Sequence, residues 1–220
     1  MLKTKGKIME EKKHLNEYWN EQVGLLSRKV LSMPWHNQKF YESYLAETFK
    51  YVTHSCKLLQ YSADRLPEGE LKNCLIHHIE EEKGHEYLAL KDLKGFGKKP
   101  EDFAELKSTH SIYNDMYEEL DEIDPVAPLI GYAMALEGLS AMIAIDVAKI
   151  VDENHGEGKA SFLKLHGEVD QEHIKESMDI LALLEDKQLP IVKDSIRKSC
   201  ERYSSFMDEI QRVLVNEKAA

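Results

Sequence analysis

One stretch of this chain limits its fold more than any other. From Pro125 it runs PVAPLIGYAMALEGLSAMIAID, apolar on every side of a helical wheel. A helix with no polar face must be enclosed by protein or by lipid. Glu137 is its only side chain between Val126 and Ile145 that is charged at neutral pH. The run is long enough for a bilayer. However, Glu137 lies near its middle, Pro128 near its start, and Asp124 and Asp146 flank it where a membrane span favours basic residues. It therefore reads as the central helix of a bundle, and no membrane association is expected. A buried carboxylate is costly unless it is protonated, paired with a cation or bound to a metal.

The rest of the chain supports an all-α fold. Pro34, Pro67, Pro100, Pro125, Pro128 and Pro190 all fall between or at the starts of segments with helical periodicity, and no strand alternation interrupts them. The pattern predicts helices over 8–31, 36–63, 69–94, 103–122, 126–153, 158–185 and 190–217. The linkers LPEGE, GFGKKPED, DEIDP, ENHGEG and DKQLP are short. The expectation is one compact helical domain over 1–220, a bundle of about seven helices. Its core would span 36–185, with the highly charged first and last helices packed outside. A net charge of −11 argues against nucleic acid as a partner. The start, MLKTKGKIMEEKKH, lacks an apolar signal region. Cys56, Cys74 and Cys200 form no CxxC and suit a reducing, cytoplasmic setting, where they serve as small apolar fillers.

Ligand-type side chains recur on the inward faces. In GELKNCLIHHIEEEKGHEYLALKDL, the positions Leu71, Leu75, His78, Glu82, His85 and Ala89 share one face. Glu82 and His85 form an E-x-x-H pair, the spacing that aims a carboxylate and an imidazole at one point on a helix. Glu81 could substitute for Glu82, and His78 lies on the same face. In KASFLKLHGEVDQEHIKESMDILALL, His166, Asp170 and His173 fall within the apolar stripe set by Phe162, Leu165, Val169 and Leu181. Glu47 shares a face with Tyr44, Tyr51 and His54. Together with Glu137 these residues are an inventory for two metal ions: Glu47, Glu82, His85, Glu137, His166, Asp170 and His173. Oxygen and nitrogen donors without thiolate favour iron or manganese over structural zinc. The four carboxylates would balance two divalent cations.

These residues, in this order, resemble the ligand pattern of the haem-oxygenase-like di-iron oxidases, which share their helical fold with haem oxygenase and the TenA and PqqC proteins. In that pattern a Glu on an early helix is followed by a Glu and a His, then by a central Glu, then by His-x3-Asp-x2-His. Here it reads Glu47, Glu82 and His85, Glu137, and finally His166, Asp170 and His173, over residues 36–185. The resemblance implies a haem-oxygenase-like fold, two non-haem irons per chain, and activation of O2 to oxidise a small organic substrate such as an amino acid or a fatty acid. It also implies that the last ligand helix can be mobile. Dimerisation is common in the fold family, which leaves a homodimer open. Two other readings stay in view. A ferritin-like di-iron protein uses two lone Glu residues and two E-x-x-H pairs, but here Asp170 replaces a Glu and His166 is extra. A metal-free, TenA-like aminopyrimidine hydrolase would need a cysteine nucleophile, with Cys56 or Cys74 available.

Overall fold

The computed structural model describes residues 2–217, with side chains described over 13–214. Among these residues the chain is helical without strands. The α-helices are α1 (Leu2–Leu31), α2 (Gln38–Val52), α3 (Ser55–Ala63), α4 (Glu70–Glu82), α5 (Glu86–Lys94), α6 (Lys107–Glu122), α7 (Ala127–His155), α8 (Ser161–Ile180) and α9 (Leu189–Glu217). Short 3-10 turns at Pro100–Asp102 and Asp186–Gln188 complete the order. No helix among the described residues is long and apolar enough to cross a membrane.

All seven expected segments are helical, but two are broken. The segment expected over 36–63 stops at Val52. There the Thr53 hydroxyl donates to the Lys50 carbonyl at 2.7 Å, competing with the helical ladder. The segment expected over 69–94 breaks between Glu82 and Glu86. Lys83 is extended and Gly84 takes a φ of +95°, a conformation that glycine adopts without steric cost.

The helix α7 is the axis of the molecule, as its all-round apolar sequence requires. It packs against α1, α8 and α9. Its first turn is capped by Asp124, whose Oδ1 accepts the backbone N–H groups of Val126 and Ala127 at 3.0 and 2.8 Å. Trp19 of α1 lies directly over Gly138, where a Cβ would come within 2.7 Å of the indole, and its ring N–H donates to the Met134 carbonyl at 2.6 Å. The last helix packs through one face. The α9 residues Val192, Ile196, Tyr203, Phe206 and Ile210 are buried in the common core, so one of its faces belongs to the interior.

Candidate metal centre

Three helices and one turn bring most of the expected ligands together. Glu82 ends α4 and is buried, with the side chain 8% exposed. His85 lies just past the break, at the N-cap position of α5, with its Nδ1 3.4 Å from Glu82 Oε1. The i, i+3 helix argument therefore does not describe this pair: a tight turn, and not a continuous helix, sets its geometry. His173 of α8 approaches the same carboxylate, with Nδ1 3.7 Å from Glu82 Oε1, and Asp170 Oδ1 lies 3.0 Å from that nitrogen. His78, one turn before Glu82 on α4, has its ring 4.6 Å from that of His173. Its Nε2 is 3.2 Å from Glu137 Oε1. His166 places its ring 5.0 Å from that of His85.

Two sets of candidate ligand atoms result, each mutually within 4.8 Å: His78, Glu82 and His173, and Glu82, His85 and His166. Glu82 belongs to both, and a carboxylate has two oxygens with which to serve two cations. Outer contacts fix the imidazoles. His166 Nδ1 donates to the Phe162 carbonyl at 2.9 Å, which leaves the Nε2 lone pair free in the neutral ring.

The electrostatics are those of a concentrated acidic site. Burial alone would raise the Glu82 carboxyl, but His85, His166 and His78 outweigh it and hold its pKa down to about 2. Burial disfavours the charged His78 ring, yet Glu137, Glu82 and Glu81 lift it to about 9. Burial raises Asp170, Glu137 raises it further, and His173 opposes both. Protons on imidazoles thus supply positive charge among the carboxylates. Buried atoms remain without any hydrogen-bond partner: Glu81 Oε2, His85 Nδ1 and Glu137 Oε2. Each is a lone-pair donor, and unsatisfied buried polar atoms are uncommon. A cation would satisfy them, and the mixed oxygen and nitrogen set suits iron.

Glu47 stands apart. It is 1% exposed, and its carboxylate is taken up by Lys50 Nζ at 2.5 Å, the Leu106 backbone N–H at 3.0 Å and the Thr109 hydroxyl at 2.5 Å. It joins neither ligand set and does not line the adjoining cavity. The acid that pins the start of α6 looked from the sequence like an early-helix ligand. Two residues of α4 come closer instead. Glu81 Oε2 lies 3.8 Å from His173 Nε2, and His78 enters one of the two sets directly. The signal for His78 was its place one turn before Glu82.

A cavity of about 120 Å³ adjoins the cluster, reached by His78, Glu82, Glu137, His166 and Asp170, with mostly apolar walls. The thiols fit no nucleophilic role. Burial and nearby carboxylates raise Cys56 and Cys74 above the ordinary range, and neither lines the cavity.

Comparison with known proteins agrees with this architecture. A family model described as an iron-containing redox enzyme matches residues 42–205. A solved domain of unknown function with a haem-oxygenase-like fold, from Shewanella denitrificans, superposes with a TM-score of 0.80 at 20% identity, covering 93% of this chain and 94% of its own. A TenA homologue from Pseudomonas syringae pv. tomato superposes with a TM-score of 0.74 at 14% identity, covering 90% of this chain and 93% of its own. At these identities the likeness establishes a haem-oxygenase-like fold. No curated protein sequence matches the chain.

Proposed function

Because the chain belongs to the family of iron-containing redox enzymes, we propose that it is a non-haem di-iron oxidase or oxygenase acting with O2 on a small organic metabolite. The observation that carries this reading is the sharing of Glu82 between two His-containing ligand sets, beside buried carboxylate and imidazole atoms that have no partner. His78 and His173 would hold one iron, and His85 and His166 the other. Glu82 would lie between them, and Glu137, Glu81 and Asp170 would complete the charge balance. Bound there, the irons would supply the reduction of O2 and the oxidation of an organic substrate.

The chain's own residues supply the setting. Tyr132, Leu136 and Ile143 help wall the adjoining cavity, holding substrate beside the ligands and excluding bulk water. Asp170 orients His173 through the 3.0 Å contact, and the Phe162 carbonyl orients His166. The metal-free TenA-like alternative gains nothing from the site: its thiol nucleophile has no candidate in the cavity, and the histidine cluster would have no role.

Anaerobic ferrous titration followed by Mössbauer spectroscopy tests the proposal. The expected result is two irons per chain, with one site lost in His173→Ala and no loss in Glu47→Gln. Retention of both irons by His173→Ala, or saturation of the wild type at one, would refute the ligand assignment.

A further inference from the structure

The cavity beside the candidate metal centre has a second polar region, built by different helices. Tyr44 and Tyr51 of α2 and Tyr203 of α9 all line it, and all three are buried. Tyr203 is within hydrogen-bonding reach of both Tyr44 and Tyr51, and its ring lies 6.4 Å from that of Tyr51, edge to face. Thr48, on α2 between the two tyrosines, is fully buried and lies within hydrogen-bonding reach of both of them. Three buried phenols and a threonine hydroxyl are therefore gathered at one spot, and the three phenols line the cavity.

The region is connected to the metal side. Tyr132 of α7 also lines the cavity; its phenol feels Glu137 and Glu82, and it in turn acts on Tyr51. The apolar walls of the cavity include Val30, Trp35, Leu129, Ile143, Val147 and Leu163. Among the described residues no Lys or Arg lines the cavity. A charged group placed by the tyrosines would lose its hydration and meet no counter-ion. An uncharged hydroxyl or carbonyl would meet phenols able to donate and accept.

We propose that Tyr44, Tyr51 and Tyr203 form a subsite for an uncharged hydrogen-bonding group of the substrate. The substrate class is then a largely apolar molecule carrying a hydroxyl, phenol or carbonyl, with no charge at the end remote from the metals. This rests on the reading of the cavity as the substrate site. It deepens that reading by separating neutral, oxygen-bearing substrates from amino acids with charged side chains.

Binding of a medium-chain alkanol, the matching alkane and the matching alkanoate to the metal-free protein tests the subsite. Trp35 lines the cavity and is one of two tryptophans in the chain, so its fluorescence reports occupancy. The alkanol should depend on the tyrosine hydroxyls, whereas the alkanoate, whose carboxylate can turn to the imidazoles at the metal side of the cavity, should not. Tyr203→Phe and Tyr51→Phe each remove one hydroxyl and keep the ring. Each should weaken the alkanol about three- to tenfold and leave the alkane unchanged. Alkanol affinities unchanged in both variants would overturn the proposal, as would an alkanoate weakened by the two variants as much as the alkanol. Failed iron loading would sink the redox reading without altering these affinities, so the two failures are distinguishable.

Discussion

The helix that carries three of the candidate ligands cannot cap itself, and this makes Asp92 a sensitive point. The residue before α8 is Ala160, which has no side-chain acceptor. Asp92 of α5 fills the role across 70 residues of sequence: its Oδ2 accepts the Phe162 N–H at 2.9 Å, and its Oδ1 has no partner. Asp92→Ala would leave that buried N–H unsatisfied, at a cost of about 1–3 kcal/mol. An opposing effect exists. Burial raises the Asp92 carboxyl from 3.8 to about 6, against the pull of the Phe162 N–H. Because the folded-state value lies above the unfolded one, the contribution of the carboxyl to stability is present below about pH 4 and is lost as pH rises through about 6. The full loss is about 3 kcal/mol, most of it between pH 4 and 7.5. Urea unfolding should therefore show Asp92→Ala less stable than wild type by about 1–3 kcal/mol near pH 4. That deficit should shrink by about 2 kcal/mol by pH 7.5, to near zero or to a gain. Asp92→Asn keeps an acceptor and cannot ionise, so its distance from Asp92→Ala should not vary with pH. A wild-type-to-alanine difference that stays constant over this range would refute the argument.

Other outcomes follow from neighbouring features. Glu47→Ala should cost about 3–5 kcal/mol in chemical denaturation, because it strands Lys50 and the start of α6, while the metal count is unchanged. A changed count would return Glu47 to the ligand set. Metal uptake should release protons, since His78 stays protonated up to about 9 in the metal-free site. Manganous affinity should then rise up to about tenfold per pH unit between pH 6 and 8, followed with an indicator dye; flat affinity would contradict the assignment of His78. Gly131→Ala would bring a Cβ within 2.5 Å of the Val192 carbonyl. It should lower stability by about 1–3 kcal/mol, and a melting temperature equal to wild type would show that α7 and α9 can move apart freely.

What the sequence disclosed, and what it hid, divides by the range of the interactions. The helix α7 was legible because all-round burial leaves an all-round apolar pattern, and Glu137 was conspicuous against it. His166, Asp170 and His173 were legible because one helix face carries them. The helix breaks were not, because the hydrophobic rhythm continues through both. Each was decided locally, one by the Thr53 hydroxyl bonding to Lys50 and the other by the positive φ of Gly84. Glu47 falls outside both ligand sets for a different reason. It does face inward, as the spacing says, but its partners Leu106 and Thr109 come from a segment about sixty residues away. Asp92 was hidden in the same way, since nothing near Ala160 in sequence announces a cap supplied by α5.

The break at Gly84 also explains how one short segment can feed both ligand sets. In an uninterrupted helix, His78, Glu82 and His85 would lie in a single row, with about 1.5 Å of rise per residue fixing their spacing. Ending the helix at Glu82 frees His85 from that row. His85 then sits with His166 of α8, while His78 remains with His173, one α8 residue of each pair lying two turns from the other. Glu82, at the break, is left between the two pairs. A substitution that prevents the positive φ without touching a ligand isolates this effect. Gly84→Ala has open space for its Cβ, with Tyr87 the nearest atom at 3.8 Å, so its cost is conformational and not steric crowding. Strain of about 1–3 kcal/mol at that residue should favour a straighter α4–α5 junction and draw His85 away from His166. The expected result is weakened binding at the His85–His166 site with the His78–His173 site retained. Equal loss at both, or at neither, would mean that the turn does not separate them.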